Sequence, residues 1–255
     1  MKITEFLKLL ENYAPLEYSN EFCTKYGAYD NSGIIVNTTD DISGVVFTLD
    51  LTKSAVDLAI QKGANLIVTH HPAIYKPISE ISDFSNALLY AVNNKIAIIS
   101  MHLNLDSAKE GIDYYFAKAI GANDFKIIYP IKEGGYGRIF TLKNTTVSDI
   151  VDKIKQNFKT QRVLVYGEDE KKDYVVATFC GSGLGENELK LLDGVDIVIS
   201  SDVKHNILIA CDTLKIKVIS VTHYASEFLG FSEFYNQIKK QSQVQVYLNN
   251  DKHLL

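Results

Sequence analysis

The chain has 255 residues, 46% apolar and 22% charged, and its 26 basic against 31 acidic side chains leave a net charge of −5. That is the composition of an ordinary soluble globular chain, long enough for one large domain or two small ones, and it excludes a disordered, collagenous or disulfide-stapled protein. The acidic balance argues against a nucleic-acid surface, which needs clustered positive charge.

The first segment, MKITEFLKLLENYAPLEYS, carries Lys2, Glu5 and Glu11. It reads as a short amphipathic helix rather than a secretion signal. Beyond it, short β-branched runs alternate with helical spacing. Strands are expected at 33–36, 45–49, 65–68 and 96–100, and helices at 52–62, 85–92 and 108–120. The stretch Tyr129-Pro130-Ile131-Lys132-Glu133-Gly134-Gly135 combines a proline with adjacent glycines and reads as a domain boundary. After it come a strand at 138–142, a helix at 147–157, strands near Val163 and Val175, and a helix at 186–192. A strand at 196–199, a helix at 204–212, a strand at 217–221, a long helix at 225–240 and a strand at 244–248 complete the chain. Strands alternating with crossover helices predict an α/β fold with mainly parallel sheets.

The two halves echo each other. Gly63-Ala64-Asn65-Leu66-Ile67-Val68-Thr69 resembles Gly194-Val195-Asp196-Ile197-Val198-Ile199-Ser200, and Lys95–Ser100 matches Lys215–Ser220 at four of six positions. The expectation is two similar α/β lobes, residues 1–128 and 129–255, with a site in the cleft between them. Cys23, Cys180 and Cys211 form no CxxC pair, which fits a reducing compartment. No apolar run approaches the ~18 residues of a membrane span, so a cytoplasmic protein is expected.

Five of the six histidines fall just after expected strands, where open α/β sheets place their ligands. The first cluster is Thr69-His70-His71-Pro72. On extended backbone the two imidazoles point to opposite sides, so each could hold one of two neighbouring ions. The second, His102-Leu103-Asn104-Leu105-Asp106, adds a nitrogen and a hard oxygen donor, a mixture that suits zinc, manganese or iron. The third, His223-Tyr224-Ala225-Ser226-Glu227, places His223 and Glu227 on one face of a helix. In the fourth, Ser201-Asp202-Val203-Lys204-His205, Asp202 and His205 could hold ligating imidazoles by their other ring nitrogen, and Asp202 could equally cap a helix. The run Cys180-Gly181-Ser182-Gly183-Leu184-Gly185 follows a strand. It could cradle phosphate with its amides or be only a tight turn.

Taken in order, VTHHP, HLNLD, CGSG, SDVKHN and THYASE resemble the GTP cyclohydrolase 1 type 2 homologs, also called NGG-interacting-factor-three-like proteins. The resemblance runs from Tyr29-Asp30-Asn31-Ser32-Gly33 to the final helix. Where the family usually has tryptophan, this chain has Tyr29; Ser201 replaces a glycine, and a histidine pair is reduced to His205-Asn206. The resemblance implies a dinuclear metal site, with His70, His71, Asp106, His223 and Glu227 as ligands. It implies two divalent ions per chain (zinc, manganese or iron), with Glu227 shared between them. It also implies a toroidal homohexamer and a hydrolase in which a metal-activated hydroxide attacks a nucleotide, possibly C8 of GTP. His102 is then the proton shuttle, so that His102 and Glu227 carry the catalytic roles. A dinuclear phosphoesterase of another small substrate and a non-enzymatic metal-binding scaffold are the alternatives.

Overall fold

The structure, a computed structural model, describes residues 1–80, 86–167 and 173–255. In chain order it runs α1 (Ile3–Glu11), α2 (Leu16–Tyr26), β1 (Gly33–Val36), β2 (Gly44–Thr48), α3 (Lys53–Lys62), β3 (Leu66–Thr69), α4 (Asn86–Asn93), β4 (Ala97–Ser100), α5 (Leu103–Asp106), α6 (Ile112–Ile120) and β5 (Lys126–Ile131). It continues β6 (Gly134–Leu142), α7 (Val147–Phe158), β7 (Val163–Tyr166), β8 (Tyr174–Thr178), α8 (Glu186–Leu189), β9 (Ile197–Ser201), α9 (His205–Thr213), β10 (Lys217–Val221), α10 (His223–Gln241) and β11 (Gln245–Leu248). Thr52 caps α3 and Thr146 caps α7 through their hydroxyls, satisfying amides that a helix start leaves open. Ser85, the expected first residue of the fourth helix, lies outside the described residues. Three elements escape the sequence pattern: the helix after Pro15, the short turn α5, which Gly111 separates from α6, and the strand β5.

The chain divides into two units, Met1–Ala108 with Phe231–Asn250 and Lys109–Gly230 with Asp251–Leu255. The expected division at residues 128 and 129 is therefore corrected. Tyr129–Gly135 is the tip of the β5–β6 hairpin, where Ile131 faces Gly134 across two residues and Lys132 takes a left-handed φ of 47°. Proline and glycine mark a tight turn as readily as a linker. Pro130 is tolerated because β5 is an edge strand. The last strand belongs to the first unit, where it lies parallel to β2.

The first sheet has the order β1-β4-β3-β2-β11, with antiparallel pairing only at β1–β4 among its neighbours. The second has the order β5-β6-β8-β9-β10-β7, with parallel pairing only at β8–β9 and β9–β10. Mainly parallel is thus correct for the first sheet and wrong for the second. There the β5–β6 hairpin and the return of β6 onto β8 add antiparallel partners.

The repeat foreseen in the sequence is a repeat of topology. The order β1-β4-β3-β2 recurs as β7-β10-β9-β8, each with its leading strand antiparallel at one edge. Local geometry recurs too. Gly63 and Gly194 take φ of 64° and 74°, and Lys95 and Lys215 take φ of 56° and 59°. The Asn65 side chain accepts the N–H of Ser43 at 2.8 Å, as that of Asp196 accepts the N–H of Val175 at 2.9 Å.

In the first unit, Val46, Ile67 and Ile98 face Val56, Ala59 and Ala91 of α3 and α4. Phe47 points the other way, with its ring 5.5–6.4 Å from those of Phe6, Phe231, Phe234 and Tyr235. Alternation along β2 thus covers both faces of the sheet with helices. In the second unit, Ala177, Phe179, Val198 and Val218 pack with Ile207 and Cys211 of α9.

The second unit also buries an ion pair. Arg138 of β6 and Asp113 of α6 are both wholly buried and joined through Nη1. Asp113 accepts further bonds from the N–H groups of Gly137 and Cys180, at 2.9 and 3.3 Å. Among the described residues, Arg138 Nε and Nη2 make no hydrogen bond. Instead the guanidinium lies 5.1 Å from the Phe125 ring centre and 5.8 Å from that of Tyr114. Burial lowers the Arg138 pKa to about 10, which leaves it charged at neutral pH. Removing one member strands the other charge, so Asp113→Ala is expected to cost about 3–5 kcal/mol in urea unfolding. A loss below about 1 kcal/mol would show that the pair is dispensable.

Candidate metal centre

β3 ends at Thr69, and the chain bends at His70 and His71. Because the strand has already ended, strict alternation does not apply. The two imidazoles converge, with ring centres 4.8 Å apart, instead of pointing to opposite sides as the sequence reading expected. His102 follows β4, and its ring lies 5.2 Å from that of His70 and 5.8 Å from that of His71. One ligand atom from each of His70, His71 and His102 falls within 4.8 Å of the others. Asp106, on α5, brings Oδ1 to 3.5 Å from His70 Nε2. Both of those residues are buried.

Each imidazole is held from behind. His70 Nδ1 lies 2.8 Å from the Met101 carbonyl oxygen; a carbonyl only accepts, so Nδ1 carries the proton there and the ring lone pair is on Nε2. His71 Nδ1 is 2.7 Å from Asp50 Oδ1, and His102 Nδ1 is 2.7 Å from Asp30 Oδ1. Asp30 also accepts the hydroxyls of Ser19 and Ser32, at 2.5 and 2.6 Å, and Ser32 Oγ accepts the His102 N–H at 3.0 Å. Burial alone would raise the Asp30 pKa, but the bonds from His102, Ser19 and Ser32 outweigh it and hold this carboxyl below the usual aspartate value. Its side chain is 1% exposed, against 44% for Asp50.

The second unit carries donors of its own. Thr222 caps α10, its Oγ1 accepting the Ala225 N–H. The helix then brings His223 Nε2 to 2.9 Å from Glu227 Oε1, one turn on. Asp202, at the end of β9, holds His223 Nδ1 at 2.6 Å. The imidazole-holding role foreseen for Asp202 is met; His205 lies exposed at the start of α9, and among the described residues it supports no imidazole. Glu227 is buried.

The glycine run is a packing device. Gly181 has φ +58°, and a Cβ there would collide with Glu227 Oε1 and sit 3.1 Å from His223 Nε2. Its N–H donates to Ser226 Oγ at 2.9 Å, and the N–H groups of Cys180 and Gly185 donate to Asp113 and Glu188. Those amides are occupied, so they do not serve the phosphate cradle considered for this segment.

Asp30 and Asp50 are the residues that the site reading missed. Asp50 lies two residues past the end of β2, so the strand-end rule applied to His70 and His102 also selects it. Asp30 lies in a loop far from His102 in sequence, and only the fold brings the two together.

A family model described as Duf34/NIF3 (NGG1p interacting factor 3) matches residues 1–253. The chain belongs to the Duf34/NIF3 family. Among its relatives, the Clostridium acetobutylicum protein described as "GTP cyclohydrolase 1 type 2 homolog" is 29% identical over 237 residues, covering 89% of this chain and 86% of that one. A protein of the same description from Methanocaldococcus jannaschii is 26% identical over 238 residues, covering 92% and 93%. Among solved structures, reduced HcgD from Methanocaldococcus jannaschii superposes with a TM-score of 0.84 at 25% identity, covering 97% of each chain. The Staphylococcus aureus protein SA1388 superposes with 0.82 at 22% identity, covering 98% of this chain and 96% of that one. The mixed α/β fold with two sheets is that of NIF3 structures. No helix among the described residues is long and apolar enough to cross a membrane.

The His102–Asp30 bond makes a signed prediction for this NIF3 chain. A carboxyl whose pKa is depressed by folding stabilises the fold above its unfolded value, about 3.9, and loses that effect as pH falls. Asp30→Asn is therefore expected to melt below wild type at neutral pH, with the gap closing under acid. A gap that stays constant down to about pH 3 would show that Asp30 is not ionised in the folded protein.

Proposed function

We propose that this chain is a dinuclear metal-dependent hydrolase acting on a nucleotide, with hydrolysis at C8 of GTP as the reaction that the description of its relatives suggests. One observation carries the reading. Four imidazoles, His70, His71, His102 and His223, each have Nδ1 against an oxygen, and two buried carboxylates, Asp106 and Glu227, stand at the Nε2 atoms of His70 and His223. An imidazole tied at Nδ1 offers Nε2 outward, as metal-ligating histidines do. Nitrogen and carboxylate donors together suit zinc, manganese or iron.

In this reading His70, His71, Asp106, His223 and Glu227 would hold two divalent ions, and Glu227, with two oxygens, would be the ligand able to serve both. Such ions would supply a nucleophile from water near neutral pH and polarise the substrate. His102 is set apart by its partner. Asp202 is 56% exposed and Asp50 44%, whereas Asp30 is 1% exposed, and a buried anion acts more strongly on its neighbour than a solvated one. Asp30 fixes His102 Nδ1–H, so Nε2 is the atom that takes up or delivers a proton, and delivery to the leaving nitrogen is the role assigned to it.

Metal analysis of the protein reconstituted with Zn²⁺ or Mn²⁺ is expected to give two ions per chain. Glu227→Gln, which keeps size but removes charge, is expected to lose at least one ion and GTP hydrolysis; Asp106→Asn should weaken mainly one. Full metal content in Glu227→Gln would overturn the shared-ligand role. A third variant, His102→Gln, is expected to keep its metals and lose roughly 10²–10⁴-fold in turnover; loss of metal instead would make His102 a ligand.

A further inference from the structure

Two tyrosines of the first unit stand beside His102 without belonging to the core. Tyr29 is 48% and Tyr75 42% exposed. Their rings meet edge to face with centres 5.3 Å apart, and Tyr75 stands edge to face against His102 at 6.0 Å. Both are rigidly mounted. The Tyr75 hydroxyl donates to the Tyr29 carbonyl at 2.8 Å, Asn31 Nδ2 donates to the Ile74 carbonyl at 2.6 Å, and the Ala73 N–H donates to Ser100 Oγ at 3.3 Å. Asp30, between Tyr29 and Asn31, is the residue that grips His102.

The Tyr75 hydroxyl already donates within the loop, and burial, followed by the Asp30 charge, pushes its pKa up, so it stays a neutral phenol. Both residues are left exposed beside His102. Fixed tyrosines give a flat ring large contact area with little ordering cost, and every nucleobase has a π-face to stack.

We propose that Tyr29 and Tyr75 form a stacking platform for a planar heteroaromatic ring of the nucleobase class, held beside His102. The proposal rests on the reading of the adjoining cluster as a hydrolase centre and adds the group by which the substrate is recognised.

The chain contains no tryptophan, so Tyr29→Trp introduces a single indole as a reporter. With the zinc-loaded full chain, GTP or ATP is expected to quench its emission saturably, whereas inorganic triphosphate, which has the phosphates but no ring, should not. In calorimetry Tyr75→Ala and Tyr29→Ala are expected to weaken GTP binding roughly tenfold or more, while Tyr75→Phe retains it. Equal quenching by triphosphate, no quenching by either nucleotide, or unchanged affinity in both alanine variants would overturn the platform. So would unchanged affinity with altered oligomeric mass, which would mean that the tyrosines cover another copy of the chain. Should Tyr75→Ala fail to fold, the indole titration decides alone. Metal content measured on the same samples separates the two ideas: protein that binds no metal refutes the hydrolase centre, and metal-loaded protein blind to the nucleobase refutes only the platform.

Discussion

An imidazole has two nitrogens, and what one does dictates what the other can do. In this chain the Met101 carbonyl, Asp50, Asp30 and Asp202 each take the Nδ1 side of one histidine. The tautomer and ring orientation are set before any ligand arrives, and Nε2 becomes the working atom of all four. Much of the surrounding structure serves that constraint. Ser19 and Ser32 hold Asp30, and Ser32 also takes the His102 N–H. Gly181 takes a left-handed turn because a side chain there would occupy the space of Glu227 and His223. Asp113, paired with Arg138, anchors the Cys180 N–H one residue before that glycine.

The repeated topology explains where these groups come from. In each unit three parallel strands end on the same side of their sheet, and every end carries something polar or small. In the first unit β2 leads to Asp50, β3 to His70 and His71, and β4 to His102. In the second, β8 leads to Cys180 and Gly181, β9 to Asp202, and β10 to His223. The repeat conserves geometry and not chemistry: where the first unit places a carboxylate after its leading parallel strand, the second places a glycine that makes room for one.

Strand positions were legible because buried parallel strands are continuous apolar runs, and the expected 65–68 and 96–100 fall within one residue of β3 and β4. The histidine clusters were legible because strand ends are marked by the change from apolar to polar. What escaped depended on long-range pairing. Nothing near Asp30 in sequence announces His102, and nothing in the Pro130–Gly135 composition separates a hairpin from a linker. The antiparallel additions to the second sheet escaped for the same reason, since strand sense is decided by partners and not by local pattern. The expectation for His70 and His71 went astray more locally: the alternation rule was carried one residue past the end of its strand.

Nitrogen-15 NMR of the histidine-labelled protein, before and after addition of Zn²⁺, tests the central claim most directly. The account predicts Nδ1–H tautomers for His70, His71 and His223 in the metal-free protein. On metal addition their Nε2 resonances should move to coordinated shifts while Nδ1 stays protonated. Nε2–H tautomers at these residues, coordination through Nδ1, or spectra that zinc leaves unchanged would contradict it.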